Sequence, residues 1–231
     1  KIKSNLRVAF FIANTMTQVK KFTFNPFQEN TYVLFDETKE CAIIDPGAYF
    51  PHERSELLDF IKENDLKPVQ LINTHCHIDH VLSNKLIADT FGLKLTGHKD
   101  EQLYLDKLLE TGAKYGVPVE ESPPIEVFIK EGDVINFGNT KLEVFNTPGH
   151  SIASVILYCK KDGFAMVGDV IFHRSIGRTD LPGGNFEVLK KSILKKVYTL
   201  PLETILYCGH ESETTVGEER VFNPFVKMEH A

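Results

Sequence analysis

NTHCHIDHVLSN, residues 73–84, follows directly on the apolar run VQLI and packs three histidines and an aspartate into the six residues from His75 to His80. On extended backbone His75 and His77, two apart, face the same side, and Cys76 between them faces the other way. Cys76 therefore reads as a small filler and not as a ligand. Asp79 and His80 are expected to open a helix over 79–92, where an aspartate also serves as N-cap. One turn then offers two pairs of ligands in different directions, which suits two cations a few ångström apart better than one.

The same context recurs along the chain. His150 follows EVFNTPG, Asp169 follows FAMVG, His210 follows ILYCG and Asp45 follows CAII. Each is a polar residue just past an apolar strand, where a sheet presents side chains on a rigid support. Imidazoles and carboxylates without thiolates suit zinc, iron or manganese. Taken singly, such residues are ordinary: a lone histidine is a surface or capping residue, and His52, His98, His173 and His230 are read that way. Turn chemistry does not require His-x-His-x-Asp-His, so the joint pattern is read as a metal site.

Bulk properties narrow the function. The chain has 231 residues, 42% hydrophobic and 25% charged, with a net charge of −6 and no long run of one sign. That is enough for a substantial core and argues against a nucleic-acid binder that relies on neutralising phosphates. No apolar stretch reaches the roughly 18–20 residues that cross a bilayer, so no membrane role is expected. Cys41, Cys76, Cys159 and Cys208 form no CxxC pair and read as reduced thiols in a cytoplasmic protein. Residues 1–15 are expected to be an extension outside the fold, because Met16 opens a more regular start. The patch VAFFIA is shorter than the usual apolar region of a signal peptide.

From Met16 the signals alternate. Strands are predicted over 19–27 and 31–36 as a hairpin, then over 41–47, 68–75 and 93–98, with helices over 53–65, 79–92 and 100–116. A proline-rich loop at 117–124 precedes strands within 125–138, 140–149, 154–160 and 164–172. A helix over 185–200, a strand over 203–210 and a short helix over 217–227 close the chain. Strand blocks with helices packed outside make a layered α/β protein.

THCHIDH, TPGHS, GDVIF and YCGH resemble, in order and spacing, the signature of the metallo-β-lactamase superfamily, from about Thr31 to Val221. The resemblance implies a four-layer αββα sandwich with the metals at one edge of its two sheets, here as a single domain over 16–231. It further implies that His75, His77 and His150 hold one metal, that Asp79, His80 and His210 hold the second, and that Asp169 bridges them. Asp79 and Asp169 would be the catalytic carboxylates, and Asp45 would steady the ligands from behind. The cofactors would be two divalent metal ions, zinc first, with iron or manganese as alternatives.

Within the superfamily, GDVIFHRSIGRTDLPGGN resembles the short glyoxalase II-like (hydroxyacylglutathione hydrolase-like) members. β-Lactamases of the best-known subclass carry a cysteine where Asp169 stands. Full-length glyoxalase II adds a C-terminal helical glutathione-binding domain, which this sequence does not show. The implied reaction is hydrolysis of a small-molecule thioester such as S-lactoylglutathione by a metal-bound hydroxide, since a metal lowers the pKa of water from about 16 toward about 7. Arg178 and Lys141 are candidate contacts for an anionic substrate, against a solvated surface role. The alternatives are an iron-dependent persulfide dioxygenase, a lactone or phosphodiester hydrolase, and a non-catalytic metal-storing scaffold. A monomer or small homo-oligomer is expected.

Overall fold

Apolar runs in this chain bury both faces of a strand, and that alternation builds the architecture. A computed structural model describes residues 16–227; the reading of 1–15 as an extension and of His230 as a surface residue lies outside them. The first six strands are β1 (Gln18–Phe24), β2 (Glu29–Phe35), β3 (Glu40–Ile44), β4 (Lys67–Ile72), β5 (Leu95–Gly97) and β6 (Ile125–Phe128), hydrogen-bonded in that order as one sheet. β7 (Val134–Phe137), β8 (Thr140–Asn146), β9 (Val155–Cys159), β10 (Phe164–Gly168), β13 (Ile205–Cys208) and β14 (Thr214–Thr215) form the second, in the order β14-β13-β10-β9-β8-β7. A small hairpin, β11 (Ile171–Phe172) and β12 (Ser175–Ile176), lies between β10 and β13 in sequence. The helices are α1 (Pro51–Glu63), α2 (Asn84–Phe91), α3 (Gln102–Leu105), α4 (Leu108–Tyr115), α5 (Phe186–Lys195) and α6 (Val216–Phe222).

Three apolar clusters define four layers. Val33, Cys41, Ile43 and Leu71 of the first sheet pack with Leu57 and Ile61 of α1 and Ile87 of α2. Their strand neighbours Leu34, Ala42, Ile44 and Ile72 point the other way, into a second cluster with Leu142, Val144, Leu157 and Met166 of the second sheet. Ile156, Ala165, Val167 and Leu206 leave that sheet on its far face, against Leu189 and Ile193 of α5 and Val216 of α6. Helices, sheet, sheet, helices is the αββα sandwich expected from the sequence. The crossovers set direction: β3, β4, β5 and β6 pair in parallel, as do β10 and β13. Their carboxyl ends, and the loops that follow, therefore collect at one edge.

Three local expectations are corrected. The hairpin turn is Asn25–Gln28, with Asn25 and Gln28 at φ 55° and 59°, and not residues 28–30 between the two predicted strands. Asp79 does not open α2. Residues Ile78–His80 form a single 3₁₀ turn and the helix starts at Asn84. The backbone groups a longer helix would use are spent on tertiary bonds: Asn25 Nδ2 donates to Asp79 O (3.0 Å), Asn73 Nδ2 to His80 O (3.0 Å) and Ser83 N to Pro46 O (2.8 Å). The helix over 100–116 is broken into a 3₁₀ turn, α3 and α4; Leu105 and Leu108, on either side of the second break, both face the core.

Leu157, fully buried between the sheets, is a direct check on this layering. Leu157→Ala is expected to cost about 2–5 kcal/mol by chemical denaturation. Leu202→Ala, at a residue 53% exposed, should stay within about 0.5 kcal/mol.

Candidate metal centre

Each candidate ligand enters from the end of a strand. Asp45 follows β3, the 73–80 loop follows β4, the His150 loop follows β8, Asp169 follows β10 and His210 lies two residues past β13. Two bonds between the sheets and one within the second pin these loops together: Val155 N donates to Thr74 O (2.9 Å) and Asn30 N to Gly209 O (2.7 Å) across the sheets, and Gly209 N to Gly168 O (2.8 Å) within the second. Gly209 has to lack a side chain, because a Cβ there would strike Asp169 Oδ1.

Side chains far apart in sequence meet here in overlapping groups, one of which joins Asp45 to His75 and His80. Ligand atoms of His75, His77 and His150 lie within 4.8 Å of one another, and so do those of Asp79, His80 and His210. Asp169 stands between the sets. Its Oδ2 is 3.4 Å from His150 Nε2 and 3.5 Å from His210 Nε2, and its Oδ1 is 3.4 Å from His80 Nε2. Asp79 Oδ2 is 3.1 Å from His210 Nε2. His77 Nδ1 and His150 Nε2 approach to 2.9 Å.

Partners on the outer side of each ring settle which nitrogen is left bare. Carbonyl oxygens only accept, so His150 Nδ1–H donates to Arg178 O (2.8 Å) and His210 Nδ1–H to Gln28 O (3.1 Å). Thr74 Oγ1 donates to Asp45 Oδ2 (2.6 Å), so His75 Nδ1–H donates to Thr74 Oγ1 (3.2 Å). His75 and His150 thereby turn Nε2 inward, and His210 Nε2 becomes available once the proton that Asp169 and Asp79 hold there has left; outer partners of this kind fix the tautomer and aim of metal-ligating imidazoles. His80 Nδ1 faces Asp45 Oδ2 at 3.3 Å.

The electrostatics call for positive charge. Among the described residues, His75 Nε2, His80 Nε2 and Asp169 Oδ1 are buried with no hydrogen-bond partner, an arrangement native structures avoid unless something else satisfies the atoms. Burial alone would raise the Asp169 carboxyl, but His80, His210 and His150 hold it well below the usual carboxylate range. Burial also opposes a proton on His80, yet Asp169 and Asp79 drive its pKa well up. His75 and His77 go the other way: burial first, then neighbouring histidines, push His75 well down and His77 to about 3. Neutral imidazoles beside ionised carboxylates are a donor set for a divalent cation of the zinc, iron or manganese type, and the residues present fit two.

All seven residues expected to be ligands thus converge, and Asp45 lies behind them. Cys76 points away into the core, and burial pushes its thiol well up, as suits a filler. All four cysteines are free. Arg178 presents its carbonyl to His150, while its exposed guanidinium forks onto Asp180 at 2.7 Å. Lys141 sits near the start of β8, at the end opposite the His150 loop, so it cannot reach the same edge. Asn73, Thr74 and the fully buried Glu29, whose Oε1 is 3.9 Å from His80 Nδ1, were not singled out in the sequence. Asn73 and Thr74 carry a signal in hindsight, as they directly precede His75.

The comparisons agree with this geometry. The metallo-beta-lactamase superfamily model matches residues 24–210. Hydroxyacylglutathione hydrolase GloC of Haemophilus influenzae is 34% identical over 202 residues, 87% of this chain and 93% of that one. The crystal structure of BLEG-1 B3 metallo-beta-lactamase superposes with a TM-score of 0.84 at 36% identity, covering 90% of this chain and 99% of that one. TTHA1623 in a di-iron-bound form gives a TM-score of 0.81 at 31% identity, covering 90% and 100%. No described helix is long and apolar enough to cross a membrane. Matched from strand β1 to the last histidine of the cluster, with its donor set gathered at the edge of two stacked sheets, the chain belongs to the metallo-β-lactamase superfamily.

Proposed function

We propose that this chain is a hydrolase of acyl thioesters of the S-lactoylglutathione type, working with two divalent cations, zinc first and iron or manganese otherwise. The observation that carries the reading is the convergence of two three-residue ligand sets on one shared carboxylate, Asp169. His75, His77 and His150 would hold one cation, Asp79, His80 and His210 the other, and Asp169 would bridge them. When bound, such a pair lowers the pKa of a water toward about 7 and draws charge from a carbonyl oxygen.

The chain's own residues do the rest. Asp79 would orient the attacking water while also holding the second cation; in the cation-free chain its Oδ2 lies 3.1 Å from His210 Nε2. Asp45 holds Thr74 and through it His75, so the ring cannot swing out of register. A thiol has a pKa near about 8.5 and leaves as thiolate without an acid, so the carboxylates can stay ionised throughout. Likeness to GloC supports the thioester, and likeness to a di-iron protein supports two cations and keeps iron in consideration. The complete second ligand set weighs against a one-iron persulfide dioxygenase and against a scaffold without chemistry. Likeness to a B3 metallo-beta-lactamase favours one second reading, opening of a β-lactam ring, in which the leaving nitrogen needs a proton that a thiolate does not.

Protein reconstituted with zinc, iron or manganese is expected to carry two cations per chain. It should hydrolyse S-lactoylglutathione faster than a lactone, a phosphodiester or a β-lactam, and take up no oxygen with glutathione persulfide. Less than one cation per chain refutes the two-metal site, and oxygen uptake without thioester turnover makes it an oxygenase. Asp169→Ala should abolish turnover; full activity in that variant removes Asp169 from the site.

Cation loading should also depend on pH. Burial works against a proton on His210, but Asp169 and Asp79 hold it there up to about 10. Below that pH the proton must leave before Nε2 can ligate, so affinity rises with pH up to that value. Calorimetric zinc titration at pH 7, in buffers of different ionisation enthalpy, should show net proton release; none released would contradict the assignment of His210.

A further inference from the structure

Glu101 is a buried glutamate, 1% exposed, in the 3₁₀ turn Lys99–Glu101 that precedes α3. Neither its carboxylate nor its turn touches the candidate ligands' donor atoms. Its bonds nonetheless go to the two loops that carry the first ligand set. Oε2 accepts Cys76 N–H at 2.8 Å, between His75 and His77. Oε1 accepts Ser151 Oγ–H at 2.7 Å and Ala153 N–H at 2.8 Å, just after His150.

Tyr104 continues the grip from one turn further on, on the same face of the chain. Its hydroxyl accepts Ile152 N–H at 3.1 Å and donates to Pro182 O at 2.9 Å. Its ring meets the His77 ring edge-on, with centroids 4.9 Å apart. The consecutive residues Ser151, Ile152 and Ala153 are thus all held by two side chains three apart in sequence. The 75–77 segment and the 150–153 segment lie 73 residues apart at their histidines, His77 and His150, and a single carboxylate spans them.

We infer that Glu101 is a positioning residue for the first cation, setting the spacing of His75 and His77 against His150 by clamping the backbone beside both. This rests on the metal-binding reading above. A carboxylate is the side chain that fits, because each of its two oxygens faces a backbone N–H that cannot accept, Cys76 N–H at Oε2 and Ala153 N–H at Oε1. A glutamine would have to turn its NH₂ group toward one of them. The second ligand set has no bond to Glu101, since Asp79, His80 and His210 are held through Asn25, Asn73 and Gln28. The role therefore predicts a selective effect, where a general loss of packing would not.

The test is stepwise zinc titration of the full chain, wild type against Glu101→Gln, with folding followed by thermal melting. Amide hydrogen exchange at Cys76 and Ala153 is measured on the cation-free proteins. Glu101→Gln should weaken the first cation by about 10–100-fold and leave the second within about twofold, with faster exchange at one or both amides. Ser151→Ala removes one bond of the three and should give a smaller loss at the same cation; it keeps the inference testable if the glutamine variant does not fold. Unchanged affinity for both cations, or equal weakening of both, overturns the positioning role while leaving the metal site standing. A wild-type chain that binds no cation overturns both.

Discussion

Ionised carboxylates buried among imidazoles need compensating charge, and the active edge of this molecule is organised around that need. Asp169 and Asp79 lie between His80, His150 and His210 with little access to water. An unpaired buried charge costs several kcal/mol by order of magnitude. In the cation-free chain, protons held by His80 and His210 supply the compensation, which is why both are driven up against the pull of burial. His75 and His77 stay neutral and offer lone pairs. A divalent cation in each set would replace the protons and satisfy the orphaned His75 Nε2, His80 Nε2 and Asp169 Oδ1 together.

Holding so many candidate ligands in register falls to the scaffold: His75 bonds to its neighbour Thr74, but the outer partners of His150 and His210 come from distant parts of the chain. Stacking two sheets puts the ends of β3, β4, β8, β10 and β13 along one edge, and inter-sheet bonds at Thr74 and Gly209 fix their spacing. Behind that front stands a row of polar side chains whose work is orientation. Asp45 aims His75 through Thr74, the Arg178 and Gln28 carbonyls fix the tautomers of His150 and His210, and Glu101 with Tyr104 braces two ligand loops. Chemistry and support are therefore divided between separate residues, and the support is spread across loops that share no sequence motif.

Much of this was legible along the chain. His-x-His-x-Asp-His, TPGH, GD and YCGH named the candidate ligands, because their residue types are costly to bury without a cation and turn formation does not demand them. The apolar runs CAII, VILYC and FAMVG named strands buried on both faces, and the three clusters bear that out. Helix limits were less legible. Nothing local forbids a helix from Asp79 onward; tertiary bonds to Asp79 O, His80 O and Ser83 N take the backbone groups it would have used. Lys141 looked as available as Arg178 until β8 placed it at the far end of its strand.

The sequence by itself determined which side chains are candidate ligands and that they follow strands, since both depend on residue type and short-range periodicity. The resemblance already implied two sets around Asp169; tertiary structure alone decided which nitrogen of His75, His150 and His210 is turned inward. It also chose the supporting residues: Glu29, Glu101 and Tyr104 look like ordinary surface polar positions in one dimension. The reason is physical. A hydrogen bond across 73 residues leaves no trace in local pattern, because its partner is chosen by how two sheets stack and not by what lies beside it on the chain.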